Sequence, residues 1–297
     1  MKRVLIFSAL FISVLSYSQQ GYEIKVSFKP FKNQFIYLAH YEGRQLPIND
    51  SVLLNDKCEG IFKGPKSLGE GVYLIGFPNK QGFFEFLIGK NQKFSIKADS
   101  ANLQNPIFTN SPDNDLFISY QHFMFVNGKK ADSAQKLLAQ AKNEKDSAAL
   151  SSLVKQTNQI IKDYRADIIK KHPDAMLSFL LTLMQEPEIP PASEQPGGKY
   201  DSTYAYHYFK SHYWDGINFY DDRLIRTPVF ESRLDKYFEQ LVYPHPDSVN
   251  KEIDWMLGYA SADSDNEKFL LLKFVNRYLN MKYMWEDAVF VHLYEKG

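Results

Sequence analysis

Cysteine is almost absent from this chain of 297 residues, which carries only Cys58. One thiol excludes an intramolecular disulfide, a multi-cysteine metal site and a Cys-x-x-Cys redox pair within the chain. Net charge is absent too. Lys+Arg and Asp+Glu both number 35, so the charge gives no reason to expect nucleic acid as a partner. No apolar run reaches the roughly 20 residues that a membrane-spanning helix needs, and no transmembrane anchor is expected. There is no Gly-x-Ser-x-Gly elbow, no P-loop and no His-Glu-x-x-His. His207 and His212 are five apart, about 140° from each other on a helix, which is wrong for a metal pair on one face. No catalytic residue, cofactor or metal ligand is therefore assigned, and the chain by itself is not expected to be an enzyme.

What is abundant is aromatic. Phe, Tyr and Trp make up 15% of the chain. The 44% hydrophobic and 24% charged content is that of an ordinary globular protein. The length suits about two domains.

Lys2 and Arg3 precede an apolar run from Val4 to Leu15, and small residues Ser16 and Ser18 flank Tyr17. This reads as a signal peptide over residues 1–18, cleaved after Ser18. No cysteine stands at the cleavage point for a lipid anchor. The mature chain is expected to be exported to the periplasm. Loss of Lys2 and Arg3 from the 35 basic residues leaves 33 against 35 acidic ones.

Residues 19–110 read as β. Tyr22 to Phe28 alternates apolar and polar with period two, and further runs follow at 34–41, 51–55, 60–64, 71–77, 83–88 and 93–97. Gly71 to Phe77 is continuously apolar, the pattern of a strand buried on both faces. Seven or eight short strands with turns between them predict an antiparallel β-sandwich or barrel.

Residues 111–297 read as helical. Leu150, Leu153, Val154, Thr157, Ile161, Tyr164 and Ile168 step by three or four along one helix face. Ala134, Leu137, Leu138 and Ala141 make a similar stripe before it. Further stripes begin at Ala175, Phe230, Val249 and Leu271. Thr227 and Pro228 are expected as N-cap and first residue of the helix carrying Phe230. His172-Pro173-Asp174 recurs as His245-Pro246-Asp247, and both copies read as helix starts. A loop rich in Pro and Glu, 185–199, separates two helical groups. The expected fold class is α+β with segregated domains.

The densest chemistry lies between Tyr200 and Phe230. Aromatic rings there can stack on a ligand while Asp and Arg bind its polar groups. They can equally pack as a helical core with an Asp–Arg network. Tyr208, His212, Trp214, Asp222, Arg223 and Arg226 are the candidate partner or ligand surface.

Several blocks carry a family resemblance. In the β region they are Gly71-Val72-Tyr73-Leu74-Ile75, Phe83-Phe84-Glu85-Phe86-Leu87-Ile88 and Asn114-Asp115-Leu116-Phe117. In the helical region they are Met184-Gln185-Glu186-Pro187-Glu188, Tyr208 to Trp214, Asp221 to Phe230 and Asp287 to Leu293. On these blocks the chain resembles the N-terminal part of periplasmic thioredoxin-like proteins of the TlpA/ResA type. There an uncharacterised β-domain and helical domain precede a thioredoxin-like domain. The resemblance implies an accessory region for a thiol–disulfide oxidoreductase, with a protein or peptide partner such as an adjoining thioredoxin-like domain. The redox motif of that family is absent from these residues, so no catalytic residue carries over. A stand-alone periplasmic protein that binds a peptide or glycan is the alternative.

Overall fold

The computed structural model describes residues 21–80, 82–260 and 264–296. The signal peptide expected over residues 1–18 lies outside them.

Eight strands come first: β1 (Tyr22–Lys29), β2 (Phe35–His40), β3 (Ile48–Leu53), β4 (Glu59–Gly64), β5 (Gly71–Gly76), β6 (Phe83–Ile88), β7 (Lys93–Asp99) and β8 (Ile107–Thr109). They form two open four-stranded sheets, ordered β4-β1-β7-β8 and β3-β2-β5-β6. The barrel alternative is thereby corrected to a sandwich. Nor is the pairing wholly antiparallel, since β1 and β7 run parallel with Ile24 beside Phe94 and Val26 beside Ile96. Period two in β1 places Ile24, Val26 and Phe28 inward. They meet Ile36, Leu38, Ile75, Phe84 and Phe86 of the other sheet in one core.

β5 is buried on both faces, as its unbroken apolar run predicts. Tyr73 and Ile75 face the sandwich interior, whereas Val72 joins Leu87 of β6 in a second core beneath the helices. The outer face of this sheet is thus a platform for the helical region, which accounts for two adjacent apolar sets in one strand.

Among the described residues, eight α-helices follow: α1 (Pro112–Ala139), α2 (Glu144–Lys171), α3 (Met176–Leu183), α4 (Ser202–Ser211), α5 (Phe230–Gln240), α6 (Pro246–Tyr259), α7 (Asp265–Leu279) and α8 (Glu286–Lys296). In α1, Asn114 completes the edge of β6. Its Nδ2 donates to Leu87 O and its Oδ1 accepts from Leu87 N, both at 2.8 Å. A side-chain amide here takes the place of a neighbouring strand and satisfies a buried edge. Met176, Leu177, Leu180 and Leu181 of α3 and Tyr120 of α1 complete the core against Val72 and Leu87.

α1 and α2 form a hairpin of two 28-residue helices. The stripe from Leu150 to Ile168 lies on its inner face, half-buried or buried throughout. The preceding stripe is corrected. Ala134 is buried, but Leu137 is exposed and Ala141 lies beyond the end of α1. α4 to α8 enclose a third core around Trp214, Phe230, Leu234, Ile253, Met256, Leu270 and Phe274.

Two helix-start expectations also change. His245-Pro246-Asp247 does open α6, with His245 as N-cap and Pro246 first in the helix. His172 instead caps the C-terminus of α2, its N–H bonded to Ile168 O. α5 begins at Phe230 rather than Pro228, yet Thr227 Oγ1 still accepts from Phe230 N at 3.3 Å. The 185–199 loop is largely exposed and is anchored through Gln195. Gln195 is buried, donating to Pro190 O and accepting from Asp201 N, each at 2.8 Å.

Cys58 sits in the turn between β3 and β4, at a φ of 63° and only 3% exposed. Its thiol is buried, so an alkylating reagent reaches it only when the turn opens. Native protein is expected to react with a maleimide about 100-fold more slowly than unfolded protein. Equal rates, read by mass spectrometry, would contradict this burial.

Candidate functional site

The six residues singled out from the sequence do not share one surface. Tyr208 and His212 stack on α4 at 4.0 Å between ring centroids, and His212 Nδ1 lies 2.8 Å from Tyr208 O. Trp214 is buried in the third core. Asp222, Arg223 and Arg226 lie at the seam between sandwich and helices.

That seam is built from backbone bonds and paired charges. Val72 N donates to Arg226 O at 2.8 Å, and Gly43 N to Ile225 O at 2.9 Å. Arg226 spans Asp265 Oδ2 at 2.6 Å and the Asp222 carbonyl at 3.0 Å. Arg223 forks onto Asp221, with Nε 2.9 Å from Oδ1 and Nη2 2.6 Å from Oδ2, and lies over the Phe179 ring. Asp222 turns the other way and accepts from Asn266 N, so the adjacent carboxylates do not converge. Burial raises the Glu70 pKa against the opposing pull of Arg223. A polar cleft of about 440 Å³ lies here, among Glu70, Lys90, Asp174, Asp221, Asp222, Arg223 and Arg226.

A second cavity, of about 590 Å³, runs between the β2–β3 connection and α7. Much of its charge is spent internally. Glu231 accepts from Arg44 N at 2.7 Å and from Lys273 Nζ at 2.5 Å. Asp235 takes Arg44, Lys273 and Arg277. His40 stacks on Tyr73, and burial lowers its pKa, which keeps the ring uncharged at neutral pH. These pairs hold the β2–β3 connection to α5 and α7, a structural use of charge.

The third cavity has a different chemistry. A groove of about 750 Å³ lies between the chain segment 207–220 and α6. Its aromatic lining is a continuous row of rings running from solvent to core. Tyr259 stands 5.4 Å from Trp255, Trp255 5.5 Å from Phe219, Phe219 5.2 Å from Trp214, and Trp214 5.3 Å from Tyr237. Tyr259 and Trp255 are exposed, while Phe219, Trp214 and Tyr237 are buried. Tyr220, 54% exposed, also lines the groove. Glu252 sits in the wall with both oxygens engaged, by Lys210 Nζ at 2.9 Å and by Tyr237 Oη at 2.9 Å. Burial, and then the charge of Glu252, push the Tyr237 pKa far up, so the phenol remains a donor. The indole Nε1–H of Trp214 is buried and has no acceptor among the described residues.

Of the six sequence candidates, only Trp214 lines this groove. Sequence reasoning missed the α6 wall. A signal was present: Lys251, Trp255 and Tyr259 recur at i, i+4 and i+8, off the buried stripe of Val249, Ile253 and Met256. Aromatic residues on the polar side of an amphipathic helix point away from the core of their own domain.

Among the described residues no group of His, Cys, Asp and Glu could hold a metal ion. No described helix is long and apolar enough to cross a membrane. A family model described as a domain of unknown function, DUF5106, matches residues 139–296, from the last residue of α1 through α8. No curated protein and no solved structure matches the chain.

Proposed function

The chain belongs to the DUF5106 family, and on that premise we propose that it is a non-catalytic binding region of a periplasmic thioredoxin-like thiol–disulfide oxidoreductase, positioning or recruiting a partner. The observation that carries this reading is an open aromatic groove in a chain whose one thiol is sealed. Thiol–disulfide exchange requires an accessible thiolate and a second sulfur. The sequence supplies no second cysteine, and Cys58 is buried. Recognition chemistry is what remains exposed. The bonded seam supports a positioning role, because it ties the sandwich to the helices that carry the groove. The sequence blocks that resemble the thioredoxin-like proteins supply the link to that family.

The purified chain is expected not to reduce insulin disulfides in the presence of dithiothreitol above the background rate. Turnover that disappears in Cys58→Ser would overturn the reading. A second reading, a stand-alone exported protein that binds a peptide or glycan, is favoured specifically by the exposed rings of Tyr220, Trp255 and Tyr259.

A further inference from the structure

We propose that the groove between the 207–220 segment and α6 binds an uncharged oligosaccharide, stacked on Trp255 and Tyr259. The inference rests on the reading of the chain as a peptide- or glycan-binding protein and gives its ligand a chemical class. Three observations carry it.

The first is size. About 750 Å³ falls within the 300–1,000 Å³ of small-ligand sites. A stable protein–protein interface instead covers about 800 Å² on each partner.

The second is the apolar chemistry. Ile217 is the one aliphatic side chain in a lining otherwise aromatic where it is apolar. An aliphatic pocket selects for volume. Exposed aromatic faces carry negative quadrupole charge, and the C–H groups on one face of a pyranose ring carry the matching partial positive charge. Trp255 and Tyr259 are one helical turn apart and 5.4 Å between centroids. Their planes are tilted by 53°, so they present two inclined, exposed ring faces to the groove.

The third is polarity without net charge. Lys210 and Lys251 balance Asp215 and Glu252 in the lining, and Lys210 is already paired to Glu252. A charged ligand finds no net counter-charge there. Asp215, Asn218 and Ser211 add acceptors and donors at the rim, which suits hydroxyl groups that both give and take hydrogen bonds. The indole N–H of Trp214 is buried behind this lining and is not counted among the donors.

The test is calorimetric titration of the purified chain with uncharged hexasaccharides of glucose, xylose and N-acetylglucosamine, followed in parallel by tryptophan fluorescence. Oligogalacturonate serves as the charged control, and a library of uncharged aromatic- and proline-rich peptides as the alternative class. Saturable binding of one uncharged sugar is expected, weakened about tenfold or more in Trp255→Ala and severalfold in Tyr259→Ala, with unchanged circular dichroism. Oligogalacturonate is expected to bind at least tenfold more weakly than that sugar. Sugar binding that survives both substitutions would refute the placement. Equal affinity for oligogalacturonate would refute the charge argument. Saturable peptide binding, lost in Trp255→Ala, with no sugar binding would overturn the sugar class while leaving the binding reading intact. Silence from sugars and peptides alike would overturn both.

Discussion

Arg233→Met is expected to destabilise the helical region by about 3–5 kcal/mol. Arg233 lies on α5 and is 8% exposed. Its guanidinium donates to three backbone carbonyls: Leu183 O at 2.9 Å, Gln185 O at 2.5 Å and Tyr213 O. It also lies over the rings of Tyr213 and Trp214, 4.4 and 5.4 Å from their centroids. Burial lowers the Arg233 pKa, opposed by the more distant charge of Glu186, and no carboxylate among the described residues lies within salt-bridge distance of it. Carbonyl dipoles and aromatic faces take the place of a directly bonded counter-ion. Each carbonyl marks a different place: the end of α3, the start of the 185–199 loop and the turn after α4. One side chain of α5 therefore ties two further chain segments, 183–185 and the turn at Tyr213, around the third core.

Methionine keeps much of the volume but leaves three carbonyls without their charged donor. Hydrogen bonds to charged groups are worth about 1.5–3 kcal/mol each, and partial rescue by water reduces the sum. Arg233→Lys is expected to recover only part of the loss, because one ammonium on a flexible stem does not reproduce a planar fork. Urea unfolding followed by circular dichroism reads both variants. A methionine variant within about 1 kcal/mol of the parent would show that the carbonyl clamp is dispensable.

Gly43→Ala is the second large effect. Gly43 lies in the β2–β3 connection with φ at 60°, a region that costs an L side chain roughly 1–2 kcal/mol. A Cβ there would also fall on Glu231 Oε2 and come within 2.6 Å of the Phe269 ring. Glu231 is the acceptor that holds Arg44 N and Lys273 together across the seam. Two other glycines separate these costs. Gly197 has φ at 79° and nothing near its missing Cβ, so Gly197→Ala carries the conformational cost alone. At Gly71 a Cβ would come within 2.5 Å of Arg226 Cβ and 2.8 Å of Arg226 O, so Gly71→Ala carries a contact cost.

Gly43→Ala is expected to lose about 3–4 kcal/mol, against about 1 kcal/mol for Gly197→Ala. With the seam opened, the sandwich and the helices are expected to unfold in separate transitions, since two-state behaviour depends on their coupling. Calorimetry distinguishes one transition from two. A Gly43→Ala variant no weaker than Gly197→Ala would mean that the seam yields at no cost.

The strands of this protein were legible because alternation is a local property. Ile24, Val26 and Phe28 announce an inward face wherever the strand goes, and the run from Gly71 to Phe77 announces two. The stripe from Leu150 to Ile168 was legible for the same reason at period 3.6. Parallel pairing of β1 with β7 was not, because a strand carries no mark of which later strand will lie beside it. The His-Pro-Asp repeat shows the same limit. One copy closes α2 and the other opens α6, so the tripeptide alone does not fix its own role.

The aromatic-rich stretch around Tyr204–Tyr220 was visible as an anomaly of composition. Its division into core and groove was not. Trp214 and Phe219 are buried only because Tyr237 and Phe230 of α5 and Trp255 of α6 fold over them. Asp222 and Arg226 belong to the seam only because α7 brings Asp265 and Asn266 to them. Residues alone settled the element types, the order of β before α, and the absence of a second cysteine, since periodicity and residue identity are carried within a few positions. Which faces met, which rings remained in solvent and where a groove opened depended on contacts between segments far apart in the chain, where packing and not pattern chooses the partner.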